Sequence, residues 1–158
     1  MTLEGKAAIV TGAASGIGRA IAGLFAELGA SVVIVDTNAD AGERAASDIC
    51  ASGGEAAFLR GDVSREDDTR EMVRFAAGRY GRLDVLVNNA AVQVLGPLAD
   101  TSEADYDRMQ GVNLKGVFLA TKHAIPEMIR SGGGSIVNMA SILGLVGDPD
   151  LSAYGAFK

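Results

Sequence analysis

Between a short apolar run, Ala7 to Val10, and a helical-period run that begins at Ile17 lies the octet Thr11-Gly12-Ala13-Ala14-Ser15-Gly16-Ile17-Gly18. Glycines there allow a tight turn and let a bare backbone approach a ligand. The helix behind them presents unpaired N–H groups and a partial positive charge, a combination suited to a diphosphate. A glycine pattern alone is weak; its place between a strand and a helix gives it weight. The chain carries 21 glycines in 158 residues, well above the usual share of about 7%, and many fall at such turns.

The same strand-then-helix rhythm repeats along the chain. Ile17, Ile21, Leu24, Phe25 and Leu28 are spaced as one face of a helix, and Gly29 is placed to end it. Val32 to Val35 reads as a second strand, and Asn38 or Asp40 as the cap of a helix reaching about Ser52. Ala56 to Leu59 is a third strand. Ser64 and Asp67 resemble a capping box for a helix reaching about Tyr80. Leu83 to Val87 is a fourth strand. Thr101 or Ser102 opens a long helix to about Ile129, with Pro126 expected to kink or shorten its last turns. Gly132-Gly133-Gly134 breaks the pattern, Ser135 to Met139 is a fifth strand, and Leu151 to Lys158 reads as the first turns of a helix. Short, continuously apolar strands separated by helices predict an α/β fold, a doubly wound parallel sheet covered on both faces. One domain over residues 1–158 is expected from the length.

Asp36 closes the second strand, 18 positions after Gly18 (36 − 18). A carboxylate there accepts both ribose hydroxyls of NAD and repels a 2′-phosphate. The arginine that would favour NADP is absent at Thr37, and Ser15 is uncharged. NAD is therefore the expected cofactor and NADP the lesser one. The net charge of −6, without a basic patch, argues against a nucleic-acid partner. No apolar run reaches the ~18 residues of a membrane span. Cys50 is the lone cysteine, expected to be partly buried and inert, and a reducing cytoplasm fits it. His123 has no partner at metal-ligand or triad spacing and reads as structural; Asp105 and Asp107 read as surface charge. No metal site is visible.

Four separated motifs and one further residue make the chain similar to the short-chain dehydrogenases/reductases. The glycine turn matches that family's T-G-x-x-x-G-x-G, with Gly12, Ser15, Gly16, Ile17 and Gly18 as cofactor contacts. Asp62-Val63 matches the pair that borders the adenine. Asn88-Asn89-Ala90-Ala91 matches N-N-A-G, with Asn89 and Ala90 at the cofactor and Ala91 in place of the usual glycine. Ser141, Tyr154 and Lys158 match Ser…Tyr-x-x-x-Lys, and Asn113 matches a helix asparagine. The resemblance implies a Rossmann-like sheet in the order 3-2-1-4-5 and hydride transfer between NAD and an alcohol or ketone carbon of a small substrate. It implies Tyr154 as general acid/base, Ser141 as its hydrogen-bonding partner at the substrate oxygen, Lys158 also at the nicotinamide ribose, and Asn113 in a water relay. A homo-oligomer is implied for the full-length protein. Alternatives are a non-catalytic dinucleotide-binding fragment and an NADP-linked 3-oxoacyl reductase. Phe157 stands where the family commonly has a small residue.

Tyr154 and Lys158 are four apart and would share a helix face. A phenol is a poor base at neutral pH, and a nearby ammonium favours its ionised form. Family members continue for about another hundred residues, a span suited to completing a domain of typical size. The C-terminal strands of the family are thus expected to be absent. The chain as it stands is expected to keep the cofactor cleft and to turn over little substrate.

Overall fold

The computed structural model describes residues 2–158. Five strands, β1 (Ala7–Thr11), β2 (Ser31–Asp36), β3 (Glu55–Arg60), β4 (Val85–Asn88) and β5 (Ser135–Asn138), form one sheet in the order β3-β2-β1-β4-β5. Every pairing is parallel. The helices are α1 (Gly16–Glu27), α2 (Ala39–Ala51), α3 (Glu66–Tyr80), α4 (Glu103–Met109), α5 (Gly116–Arg130) and α6 (Ser152–Gly155). The Rossmann-like α/β architecture and strand order are those expected.

Strand alternation builds the two layers. Ile9, Val33, Val35 and Leu86 point to one face and pack with Met72, Val73 and Ala76 of α3 and Ala120, Ala124 and Met128 of α5. Val10, Val32, Ile34 and Val87 point to the other and meet Ala22 and Ala26 of α1 and Ala45 and Ala46 of α2. A strand buried on both faces must be apolar at every position, which is why β1 and β2 read as unbroken runs.

Helix α1 departs from the expected face. Its buried residues are Gly18, Ala22 and Ala26, while Ile17 is 65% and Leu24 53% exposed. Ile21 and Phe25 are packed only in part. Small residues bring the helix axis close to the sheet: a Cβ on Gly18 would lie 2.4 Å from the Gly12 carbonyl oxygen. Periodicity finds large apolar residues, and here the contact is made by the smallest ones. The helix ends as expected, with Gly29 at φ 93°. Gly29 N–H donates to Ala26 O and Ala30 N–H to Phe25 O, the paired bonds of a Schellman closure.

Other boundaries follow local hydrogen bonding. Asn38 caps α2 by accepting from Ala41 N–H, and Ser102 caps α4 by accepting from Asp105 N–H. The Ser64–Asp67 box does not form. Ser64 Oγ donates instead to Asp62 Oδ1, and Arg65 precedes α3 without a side-chain cap. Asp68 takes the reaching-back role, accepting from Asp62 N–H. The long helical stretch is divided: residues Gln110–Lys115 between α4 and α5 are wound as a π-helix. Pro126 does not shorten α5, which continues to Arg130 with Ala124 and Met128 buried on either side of the proline. The final helical segment is one α-turn, then looser i→i−3 bonds from Phe157 and Lys158.

Cys50 is exposed, contrary to expectation, because α2 turns its alanines rather than its cysteine to the sheet. His123 lies between α3 and α5 with Nε2 buried and 3.3 Å from Glu66 Oε1, without hydrogen-bond geometry. Asp84 anchors the sheet end away from the glycine turn. It accepts from Ala7 N–H, Lys6 and Arg82. Burial pushes its carboxyl up, but the Arg82, Ala7 and Lys6 donors outweigh that and hold it at about 2. No helix among the described residues is long and apolar enough to cross a membrane.

Candidate functional site

The strand order reverses at β1, whose neighbours β2 and β4 are followed by helices on opposite faces. A parallel sheet opens a crevice at the carboxyl ends of its strands at such a point. Here the crevice is a cleft of about 450 Å³. The turn after β1 lines it with Gly12, Ser15, Gly16 and Ile17; β2 adds Asp36 and Thr37. Asp62 and Val63 after β3, and Asn89 and Ala90 after β4, complete the wall. Nine of the expected cofactor contacts thus share one space. Gly18 does not line it: the glycine is buried beneath, where a Cβ would also come within 2.5 Å of Asn89 Nδ2.

Backbone geometry sets the close approach of the two loops and the open side of the turn. Gly12 has φ 65°, and a Cβ there would lie 2.8 Å from Ala90 Cα. Gly16 has φ 54° and faces open space. Asn89 locks the two loops together, its Nδ2 donating to the carbonyls of Thr11 (2.8 Å) and Gly12 (3.2 Å). Thr11, buried and the first residue of the glycine motif but given no role from the sequence, accepts at Oγ1 from Asn89 and Ala90 N–H and donates to Val87 O. Ala91 carries no backbone strain, since only glycines have positive φ among the described residues.

Asp36 is held by Ala14 N–H at Oδ2 (3.1 Å) and Asn38 N–H at Oδ1 (3.0 Å). An ionised carboxylate has about four acceptor sites, so two remain for a ligand.

The second group of expected residues lies beyond the cleft. Asn113, in the π-helical stretch and 5% exposed, exchanges both bonds with Val92: Oδ1 accepts from its N–H and Nδ2 donates to its carbonyl, each at 2.9 Å. The asparagine therefore pins the loop after β4. It also lines a separate cavity of about 270 Å³ with Met139 and Lys158. Lys158 Nζ donates to Met139 O at 2.8 Å and lies 5.9 Å from the Tyr154 ring centre. Burial pushes the Lys158 amine below its ordinary value. Ser141 starts a 3₁₀ turn, Ile142–Gly144, by accepting from Leu143 N–H. That turn packs tightly on α6: a Cβ on Gly155 would meet Leu143 O at 2.5 Å, and one on Gly144 the Lys158 carbonyl carbon at 2.6 Å. Phe157 is buried with Met109 and Ala153 and stacks edge-on against Tyr106 at 5.0 Å. It fills a small apolar cluster under Tyr154, so the larger side chain has a site of its own. Among the described residues no cluster of His, Cys, Asp or Glu is arranged to hold a metal ion.

A model of the short chain dehydrogenase family matches residues 6–158. The chain belongs to that family. Among short-chain dehydrogenase relatives, it is 44% identical over its whole length to an uncharacterized oxidoreductase of Thermotoga maritima, covering 62% of that protein. It is also 44% identical to the 2,5-dichloro-2,5-cyclohexadiene-1,4-diol dehydrogenase of Sphingobium indicum, over 99% of this chain and 62% of the relative. Among solved structures, a short chain dehydrogenase/reductase from Burkholderia phymatum in complex with NAD superposes with a TM-score of 0.96 at 34% identity. That match covers 99% of this chain and 56% of the other. The chain thus spans about three fifths of the length of the curated relatives it matches.

Proposed function

We propose that this chain, as a single domain, supplies the cofactor cleft and proton-transfer residues of an NAD-dependent oxidoreductase. The substrate is a small alcohol or ketone, the setting cytoplasmic and the assembly a homo-oligomer. The observation that carries this reading is the meeting of the bare glycine turn and Asp36 on one cleft. A side chain at Gly12 would collide with Ala90 and Asn89 and force the two loops apart, and Gly16 leaves its side open to a diphosphate. Helix α1 starts at this turn, so its free N–H groups favour a dianion. Asp36 has spare acceptor sites for two ribose hydroxyls and a charge that opposes a 2′-phosphate. Val63 and Asp62 bound the far side, where an adenine fits. NAD, when bound, supplies the hydride acceptor.

Tyr154 takes the hydroxyl proton of the substrate in oxidation and returns it to the carbonyl oxygen in reduction. Ser141 Oγ steadies that oxygen by hydrogen bonding. Lys158 has three N–H donors; the Met139 carbonyl occupies one and fixes the amine. The other two are free for the nicotinamide ribose. Asn113 completes the group by holding Val92 and reaching the cavity it shares with Lys158. The titratable pair argues against a purely nucleotide-binding role, which needs no proton donor.

The substitution Tyr154→Phe in a full-length version tests this. Turnover with secondary alcohols should fall roughly 10²–10⁴-fold, the usual contribution of a positioned acid/base, with NAD affinity kept within about twofold. Unchanged turnover would remove Tyr154 from the reaction.

A further inference from the structure

Beside the cleft lies a second cavity, of about 340 Å³, lined by Thr37, Arg60, Gly61, Asp62, Arg65 and Asp68. Thr37, Gly61 and Asp62 belong to both spaces, so the two are continuous at the end of β2. Arg60 ends β3 directly opposite Asp36 in the parallel register. Paired residues of adjacent parallel strands project to the same face of the sheet. Among the described residues Arg60 forms no ion pair and no side-chain hydrogen bond. The carboxylates around it are already engaged. Asp62 Oδ1 accepts from Ser64 N–H and Oγ–H. Asp68 Oδ2 accepts from Asp62 N–H, and its Oδ1 faces Arg65 at 3.6 Å. An uncommitted guanidinium therefore lines an open space one strand away from the acid proposed for the ribose.

We infer that Arg60 is a latent acceptor for a 2′-phosphate, and that the Asp36 charge at the mouth of this second cavity is the chief barrier to its admitting NADP. The inference rests on the dinucleotide reading of the cleft and adds a residue to its specificity. Guanidinium groups bind phosphate with short, charge-assisted and often bidentate bonds. The phosphate would displace only water, because Arg60 has no partner to give up. Asp36 opposes it by repulsion across the Thr37 boundary. The usual position for such an arginine, directly after the β2 acid, holds Thr37 in this chain, and Arg60 reaches the same neighbourhood from β3.

The test is equilibrium binding of NAD and NADP to the protein, read by calorimetric titration and independent of turnover. Asp36→Asn keeps the shape and one acceptor oxygen while removing the charge. NADP should bind it at least about tenfold more tightly than it binds the unaltered protein. Adding Arg60→Ala to Asp36→Asn should return most of that gain. Arg60→Ala alone should leave NAD affinity within about twofold. Asp36→Ser, paired in the same way with Arg60→Ala, guards against a folding defect peculiar to the asparagine. A gain in NADP affinity that is equal with and without Arg60, or no gain in either Asp36 variant while NAD still binds the unaltered protein, overturns the inference. Failure of the unaltered protein to bind either dinucleotide would instead overturn the reading of the cleft, and this inference with it.

Discussion

The two ends of the sheet are built differently. All five residues of β1 and the four central residues of β2 are buried, whereas β5 has one half-buried residue among three exposed ones. The cleft grows from the first region. Its glycine turn is clasped by Asn89, Thr11 and Asp36, each tied to backbone on a neighbouring strand or loop. The Tyr154–Lys158 turn grows from the second and has fewer side-chain hydrogen bonds to its surroundings: the lysine–Met139 bond stands beside two glycine contacts and the Phe157–Tyr106 stack. On the proposed reading, cofactor capture rests on the buried centre of the sheet, and proton transfer on a region held by fewer contacts within these residues. Changes in the first region should move stability and binding together. Changes in the second should move turnover with little effect on global unfolding.

The largest effect is expected from Gly18→Val. Its Cβ would collide with the Gly12 carbonyl and Asn89, neither of which can yield without opening the turn. Overpacking of this kind costs roughly 1–3 kcal/mol, and NAD affinity should drop about a hundredfold or more in the same titration. A variant that melts lower yet binds NAD normally would separate what is joined here. Next comes Asn113→Ala, which strands both polar groups of Val92. Each buried unpaired group costs about 1–3 kcal/mol, so chemical denaturation should reveal a loss near the lower end of their sum, since the loop can admit water. Asn113 bridges the regions, and turnover should fall further than NAD affinity.

Asp84 tests the first region through pH. Its carboxyl sits at about 2 when folded, against about 3.9 when unfolded. A depressed folded value stabilises above the unfolded value, and that stabilisation is lost as pH falls from near 4 toward 2. The difference of nearly two units is worth roughly 2 kcal/mol at neutral pH. Asp84→Asn should lower stability by about that amount at pH 7 and flatten the acid limb of the stability profile. A profile that keeps its slope would assign the acid sensitivity elsewhere. The smallest effect should come from Phe157→Leu, which keeps apolar volume and loses the edge-on stack, about 0.5–1.5 kcal/mol. Hydrogen exchange should report the loosening at residues 152–158 with little change in β1 and β2. Equal loss of protection in both regions would erase the contrast between them.

How much of this was legible in the sequence follows the same division. Strands buried on both faces must be apolar throughout, so β1 and β2 stood out, and with them the turn and the acid that follow. Gly12, Asp36, Val63 and Asn89 could be brought to one cleft from motif order alone. The buried face of α1 could not, because Gly18, Ala22 and Ala26 carry almost no hydrophobic signal. The π-helical winding around Asn113 leaves no periodic trace in six residues. Arg60 was invisible for a different reason: its closeness to Asp36 is a matter of strand register, a pairing across 24 residues of chain (60 − 36). The Ser64 box failed because α3 starts at Glu66, which leaves Arg65 rather than Ser64 at the cap position.

Calorimetric titration of the folded protein with NAD asks the central question most directly. Saturable uptake of one NAD per chain, with NADP at least about tenfold weaker, is the predicted result. Absence of NAD binding, or equal affinity for the two dinucleotides, would contradict the account of the glycine turn and Asp36.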